Sequence, residues 1–145
     1  MRELSTVNGN QKTGISSSQL GVKLYGYKNL IAWQRADELA MQVYSVTVSF
    51  PKSEVFGITS QLRRAALSVP ANIIEGYSRV NKKEFGRFLL IAYGSLAEVE
   101  YFITFSFKQN FMEKEEFDTL ISLKDEVGRL VWRLHDSLTI AGSKK

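Results

Sequence analysis

The sequence contains no cysteine, one histidine and two prolines in 145 residues. The missing cysteines exclude disulfides, thiolate nucleophiles, iron–sulfur clusters and cysteine-based zinc sites. They fit a cytoplasmic location, which is the expected one. The lone His135 excludes the paired Glu-x-x-His motifs of a bundle di-iron centre, because Trp132 stands three residues before it. No nucleophile elbow surrounds any serine, and no glycine-rich phosphate loop occurs. His135 reads as a surface or boundary residue. No catalytic residue, metal or cofactor is expected. A long apolar run is also missing. The start of the chain has none, so no signal peptide is read there. The most apolar stretch, 88–97, is about ten residues, against roughly 20 for a membrane span, so no membrane partner is expected.

What is present is a core-forming composition, 44% hydrophobic and 12% aromatic, in a length that suits one domain. Residues 1–25 are rich in Ser, Gly, Asn and Gln and read as a flexible N-terminal tail. Residues 26–145 read as one all-α domain. Strand alternation is absent, and four amphipathic helical patterns succeed one another at about 30–49, 54–77, 82–109 and 114–141. Short links make this an up-down-up-down four-helix bundle.

The first helix has Asn29 as expected N-cap and a stripe of Leu30, Trp33, Ala36, Ala40, Val43, Tyr44 and Thr47. Pro51 follows it. The second carries Ile58, Leu62, Ala65, Ala66, Val69 and Ile73, with Pro70 expected to kink or split it and Gly76 suited to its end. The third opens on Asn81 with Glu84, a capping-box spacing. Its stripe holds Phe85, Phe88, Leu89, Ala92, Leu96, Val99, Ile103 and Ser106. The fourth has an acidic first turn that complements the helix dipole. Its stripe runs from Phe117 through Val127 to Leu138.

The third helix has a second apolar face. Leu90, Gly94, Ala97, Tyr101 and Phe105 fall together almost opposite its core stripe, and the second helix has a shorter version in Leu67, Ala71 and Ile74. A helix apolar on both faces calls for burial on both. These eight residues are therefore expected to form a homo-oligomer interface. The other reading is an irregular bundle in which one helix is central.

Charge is uneven. The segment 59–87 holds six basic residues, Arg63, Arg64, Arg79, Lys82, Lys83 and Arg87, against two acidic ones, which equals the net +4 of the whole chain. Lys82 and Lys83 lie in a first helical turn, where the dipole disfavours cations, and cations beside free N–H groups suit an anion. The six are the expected contacts to RNA or DNA phosphates; the bland alternative is a solvated surface. Tyr77 can stack on a base or pack on the bundle. Glu75 and Asn72 either satisfy backbone groups freed near Pro70 or touch a ligand. Glu98 and Glu100, two positions apart, point in different directions and read as separate salt-bridge or interface groups.

Several segments carry a family likeness: YKNLIAWQ at 27–34, GITSQLRRAALSVPANIIEGY at 57–77, KEF at 83–85 and GSLAEVE at 94–100. They resemble the four-helix-bundle proteins encoded within intervening sequences of bacterial 23S rRNA genes. The chain is also similar to the accessory variability determinant of diversity-generating retroelements. The resemblance covers about four-fifths of the chain, from Tyr27 into the fourth helix. It implies a ring-shaped homopentamer, and by the second likeness a basic barrel that binds nucleic acid and a reverse transcriptase. An adaptor or scaffold for such an enzyme is therefore the alternative function. The family motif covers Arg63, Arg64, Asn72, Glu75, Gly76 and Tyr77 but assigns no catalysis to them. Residues 1–25 have no counterpart in the family. Ile74 stands where alanine is common, and Gly86-Arg87 replaces a bulkier, less basic pair, which bears on the packing between subunits.

Overall fold

A computed structural model describes residues 26–143. The tail assigned to 1–25 lies outside the described residues. A 3-10 turn, Gly26–Asn29, leads into the first long helix, α1, Ile31–Thr47. Asn29 is not its N-cap. The turn carries the chain one residue further, so Leu30 takes the cap position with extended backbone and no side-chain bond. Gln34 closes the entry instead, its Nε2 donating to the Lys28 carbonyl at 2.7 Å. The buried stripe of α1 is Ala32, Ala36, Leu39, Ala40, Val43 and Thr47. Trp33 is half-buried and Tyr44 is exposed, so the core face is rotated towards Ala32 and Leu39 from the one expected.

After Pro51 a second 3-10 turn, Lys52–Glu54, takes up residues expected in the next helix. That helix, α2, is Ile58–Tyr77. Its start is tied down by Glu54, whose Oε2 accepts from the Ile58 N–H at 3.2 Å. The helix runs unbroken through the buried Pro70, so the expected split does not occur. Proline removes one backbone donor. Nearby, Asn72 Nδ2 donates to the Ser68 carbonyl at 2.7 Å and Ser68 Oγ to the Ala65 carbonyl at 3.0 Å. Neither bond reaches the Ala66 carbonyl, which lies four residues before Pro70 and loses its helical donor; they hold the neighbouring carbonyls of the same turns. Gly76 lies in the last turn of α2, one residue before its end at Tyr77, as expected, but it is buried and no left-handed cap, since no described glycine has a positive φ. A Cβ there would lie 2.8 Å from Phe88 Cβ and 3.2 Å from the Phe85 carbonyl. The missing side chain lets α2 approach the next helix.

That helix, α3, is Lys82–Lys108. Asn81 caps it as expected, its Oδ1 accepting from the Lys83 N–H at 2.7 Å and the Glu84 N–H at 3.4 Å. It ends in a Schellman turn: Asn110 adopts φ 63°, and the Phe111 N–H donates back to the Ser106 carbonyl at 2.9 Å. The last helix, α4, is Lys114–Ser143, so it continues past Gly142. Glu116 Oε1 accepts from the Glu113 N–H at 2.9 Å, one half of a capping box.

Among the described residues there are four long helices and no strand. α1 packs on α2, α2 on α3, α3 on α4, and α4 returns to α1. The backbones of the diagonal pairs come no closer than 8 Å between Cα atoms, and these helices meet only through the core. Each helix therefore buries one stripe against two neighbours, the arrangement of a four-helix bundle. Leu39, Val43, Leu62, Val69, Ile73, Leu89, Val99, Ile103, Leu120 and Val127 are fully buried. Each such side chain contributes roughly 1.5–3 kcal/mol of transfer free energy.

The ten-residue apolar count understated α3. It holds an 18-residue window apolar enough to cross a bilayer by length and composition, with 33% of it buried in the protein. The extra apolarity comes from its second face, since its core stripe is already used against α2 and α4.

Candidate nucleic-acid interface

The six basic residues do not form one cluster. Arg63 and Arg64 sit in the first half of α2, beside the end of α1. Arg79, Lys82, Lys83 and Arg87 gather at the α2–α3 turn. At 1.5 Å per residue the two groups are roughly 20 Å apart along the bundle. A count along the chain merges what the rise of the helix separates.

Arg63 is a structural link. Its Nε donates to Thr47 Oγ1 at 2.8 Å, and its guanidinium carbon lies 4.6 Å from the centre of the Tyr44 ring. Arg64 is exposed and donates to Gln61 at 2.7 Å. Arg79 pairs with Glu75 at 2.6 Å, so Glu75 has a charge partner on its own turn. Arg87 pairs with Glu84 at 3.1 Å. Both guanidiniums lie near the Phe88 ring, at 5.2 and 4.6 Å from its centre. Lys82 and Lys83 are exposed and have no ion pair among the described residues. With Arg87, Leu90, His135 and Leu138 they line a groove of about 480 Å³ between the start of α3 and the far end of α4. Tyr77 packs into the bundle, its ring edge-on to Phe85 at 6.0 Å, and is not free to stack on a base.

All eight residues of the second apolar face reach the surface. Leu67, Ala71, Leu90, Gly94, Ala97, Tyr101 and Phe105 are exposed and Ile74 is half-buried. Tyr101 is 63% exposed. A Cβ on Gly94 would meet nothing within 4 Å, so that position is open.

Sequence reasoning missed a second groove, of about 460 Å³, lower between α3 and α4. Tyr93 and Trp132 form its aromatic wall, 5.4 Å between ring centres, and Arg129 and Arg133 rim it. Both arginines are exposed on α4. Their i,i+4 spacing beside a tryptophan was the available signal. The floor keeps one net negative charge, because a single lysine meets two carboxylates. Lys124, 12% exposed, donates to Glu100 at 2.8 Å and Asp125 at 2.6 Å. Burial alone would lower its pKa, but these hydrogen bonds outweigh it and raise the ammonium above its ordinary value. Glu100 is therefore the α3–α4 salt bridge that its position suggested. His135 is half-buried and stacks on Trp132 at 5.6 Å, and its buried Nδ1 has no hydrogen-bond partner among the described residues.

Four long helices packed side by side, with no strand among the described residues, place the chain in the class of all-helical bundle proteins. Residues 28–133 match the family described as 23S rRNA-intervening sequence protein, and the chain belongs to that family. A solved structure from Bacteroides thetaiotaomicron, described as a protein of unknown function from the S23 ribosomal protein family, superposes with a TM-score of 0.65. It is 20% identical, and the match covers 72% of this chain and 98% of that one, a likeness that establishes the fold. Among curated proteins no sequence matches.

Proposed function

We propose that this chain is a non-enzymatic, ring-like homo-oligomer that binds RNA or DNA through phosphate contacts in the cytoplasm. One juxtaposition carries the reading. The exposed apolar stripe Leu90–Gly94–Ala97–Tyr101–Phe105 lies on the same helix as the unpaired Lys82 and Lys83. Copies joined through that stripe and through Leu67, Ala71 and Ile74 would repeat the cations around a symmetry axis. The field of five copies exceeds that of one, and polyanions respond to the sum. The pentamer comes from the family likeness. A bend of α2 at Pro70 belongs to the same reading, because it would tilt the Ala71–Ile74 turn towards a neighbour. Arg79 and Arg87, each held by a carboxylate, add to the Lys82–Lys83 group. Arg64 marks a second contact region at the other end.

Fluorescence anisotropy with a labelled structured RNA tests this. At about 50 mM salt the protein should bind, and affinity should fall by an order of magnitude or more by about 200 mM. K82E/K83E should weaken binding and flatten the salt dependence. No binding at the lower salt would reject the reading. Capture of an acidic enzyme, such as a reverse transcriptase, without any direct affinity for nucleic acid would favour the adaptor role instead.

A further inference from the structure

We infer that the α3–α4 face carries a track for single-stranded nucleic acid, with bases stacked on Tyr93 and Trp132 and phosphates held by Arg129 and Arg133. This deepens the proposed function and rests on it; Leu90 and Ala97 of the interface stripe edge the two grooves, so the track runs beside the joint between copies.

The two grooves are not independent. Trp132 walls the lower one, His135 lines the upper one, and the two rings stack on each other. Tyr93, Trp132 and His135 therefore form one row of rings across the α3–α4 cleft, with centre-to-centre steps of 5.4 and 5.6 Å. Tyr93 is 44% and Trp132 48% exposed, so each offers ring surface to solvent. Exposed aromatic surface beside cations is what single strands use, because every base has a face to stack and the backbone needs only positive charge. A duplex hides its base faces and gains nothing from such a wall.

Charge is placed to match. Arg133 has no ion pair or hydrogen bond among the described residues, and Arg129 is one of the charges that hold the Glu126 carboxyl below its ordinary value. Lys82 and Lys83 stand free at the other end of the row. The carboxylates in the floor, Glu100 and Asp125, are both engaged by Lys124. Lys124 cancels one of these two charges, and Arg129 with Arg133 exceed the remaining one, so the groove keeps a net positive charge of one. From Arg129 to Leu138 the track spans roughly 14 Å of helix. That length suits about four stacked nucleotides at roughly 3.4 Å each.

The test compares labelled 12-nucleotide RNA and DNA, each single-stranded and as duplex, binding to the full chain. Y93A/W132A should lower single-strand affinity at least about 10-fold, since one lost base stack alone is worth roughly 5- to 150-fold. Duplex binding should hold. W132F, which keeps a ring, should lose less than W132A. R129Q/R133Q should reduce the slope of log affinity against log salt by up to about 1.4 for single strands. A crosslinking arm needs no variant. A strand carrying 5-iodouridine should attach to Tyr93, Trp132 or His135 of the unaltered protein. RNA and DNA arms that differ would identify which strand it prefers. Wild-type single-strand affinity in Y93A/W132A, or crosslinks confined to other helices, would overturn the track while leaving nucleic-acid binding intact. Failure of the unaltered protein to bind any of the four probes would remove both readings.

Discussion

Gly76 and Gly94 are the same residue in neighbouring helices, with opposite surroundings. The first faces Phe85 and Phe88, one contact being a backbone carbonyl that cannot swing aside. The second faces open space. Gly76→Ala should therefore overpack the α2–α3 contact and cost about 1–3 kcal/mol. In a protomer kept single by L90E/Y101E, Gly94→Ala should remove the helix penalty of glycine and add up to about 1 kcal/mol. In that background thermal melts of the two glycine variants should move in opposite directions by several degrees. The local sequence placed Gly76 at the helix end, where α2 does stop, but gave no sign of its contact. Close approach of another helix leaves no mark in the residues beside a glycine. Its cause lies in Phe85 and Phe88, which follow across a turn.

At the scale of elements, α1 and α4 are tied by Arg35. Its guanidinium bonds Glu126 across the helix pair and Glu38 on its own helix. The hydrogen bond from Arg35 holds the Glu126 carboxyl below its ordinary value, against some desolvation, with the charges of Arg35 and Arg129 helping. A lowered folded-state pKa means stability that is fully present above the unfolded value, ordinarily near 4.5. It is lost as pH falls through the depressed value. Glu126→Gln should be less stable than wild type at pH 7, and the gap should close in acid. Urea melts between pH 7 and 3 measure it. The gap is modest because the pair is solvent-exposed. Some element boundaries were legible and others were not. Asn81 was readable as a cap because its two partners, the Lys83 and Glu84 N–H groups, lie within the next three residues. The starts of α1 and α2 were misplaced because 3-10 turns at Gly26–Asn29 and Lys52–Glu54 continue the helical pattern without being part of the helix.

At the scale of the whole molecule, the uncovered stripe decides whether the chain exists alone. Leu90 and Tyr101 are exposed in the single chain, so L90E/Y101E should spare the fold of the protomer. The variant should scatter light as a smaller species than wild type. Its melting temperature should also lose any dependence on protein concentration, which is the mark of stability drawn from association. A wild-type monomer at micromolar concentration would remove the interface.

The sequence by itself determined the all-helical class, the number of helices, most of the core stripe and the second apolar face of α3. These follow from periodicity and capping, which involve residues within one or two turns of each other. The tertiary structure alone decided that Arg63 braces Tyr44 while Lys82 and Lys83 stay free, that Gly76 is a contact point, and that Tyr93, Trp132 and His135 form one row. Each of these depends on how far one helix is rotated and shifted against its neighbour. That rotation is set by the packing of all four stripes together, and no single stretch of chain encodes it.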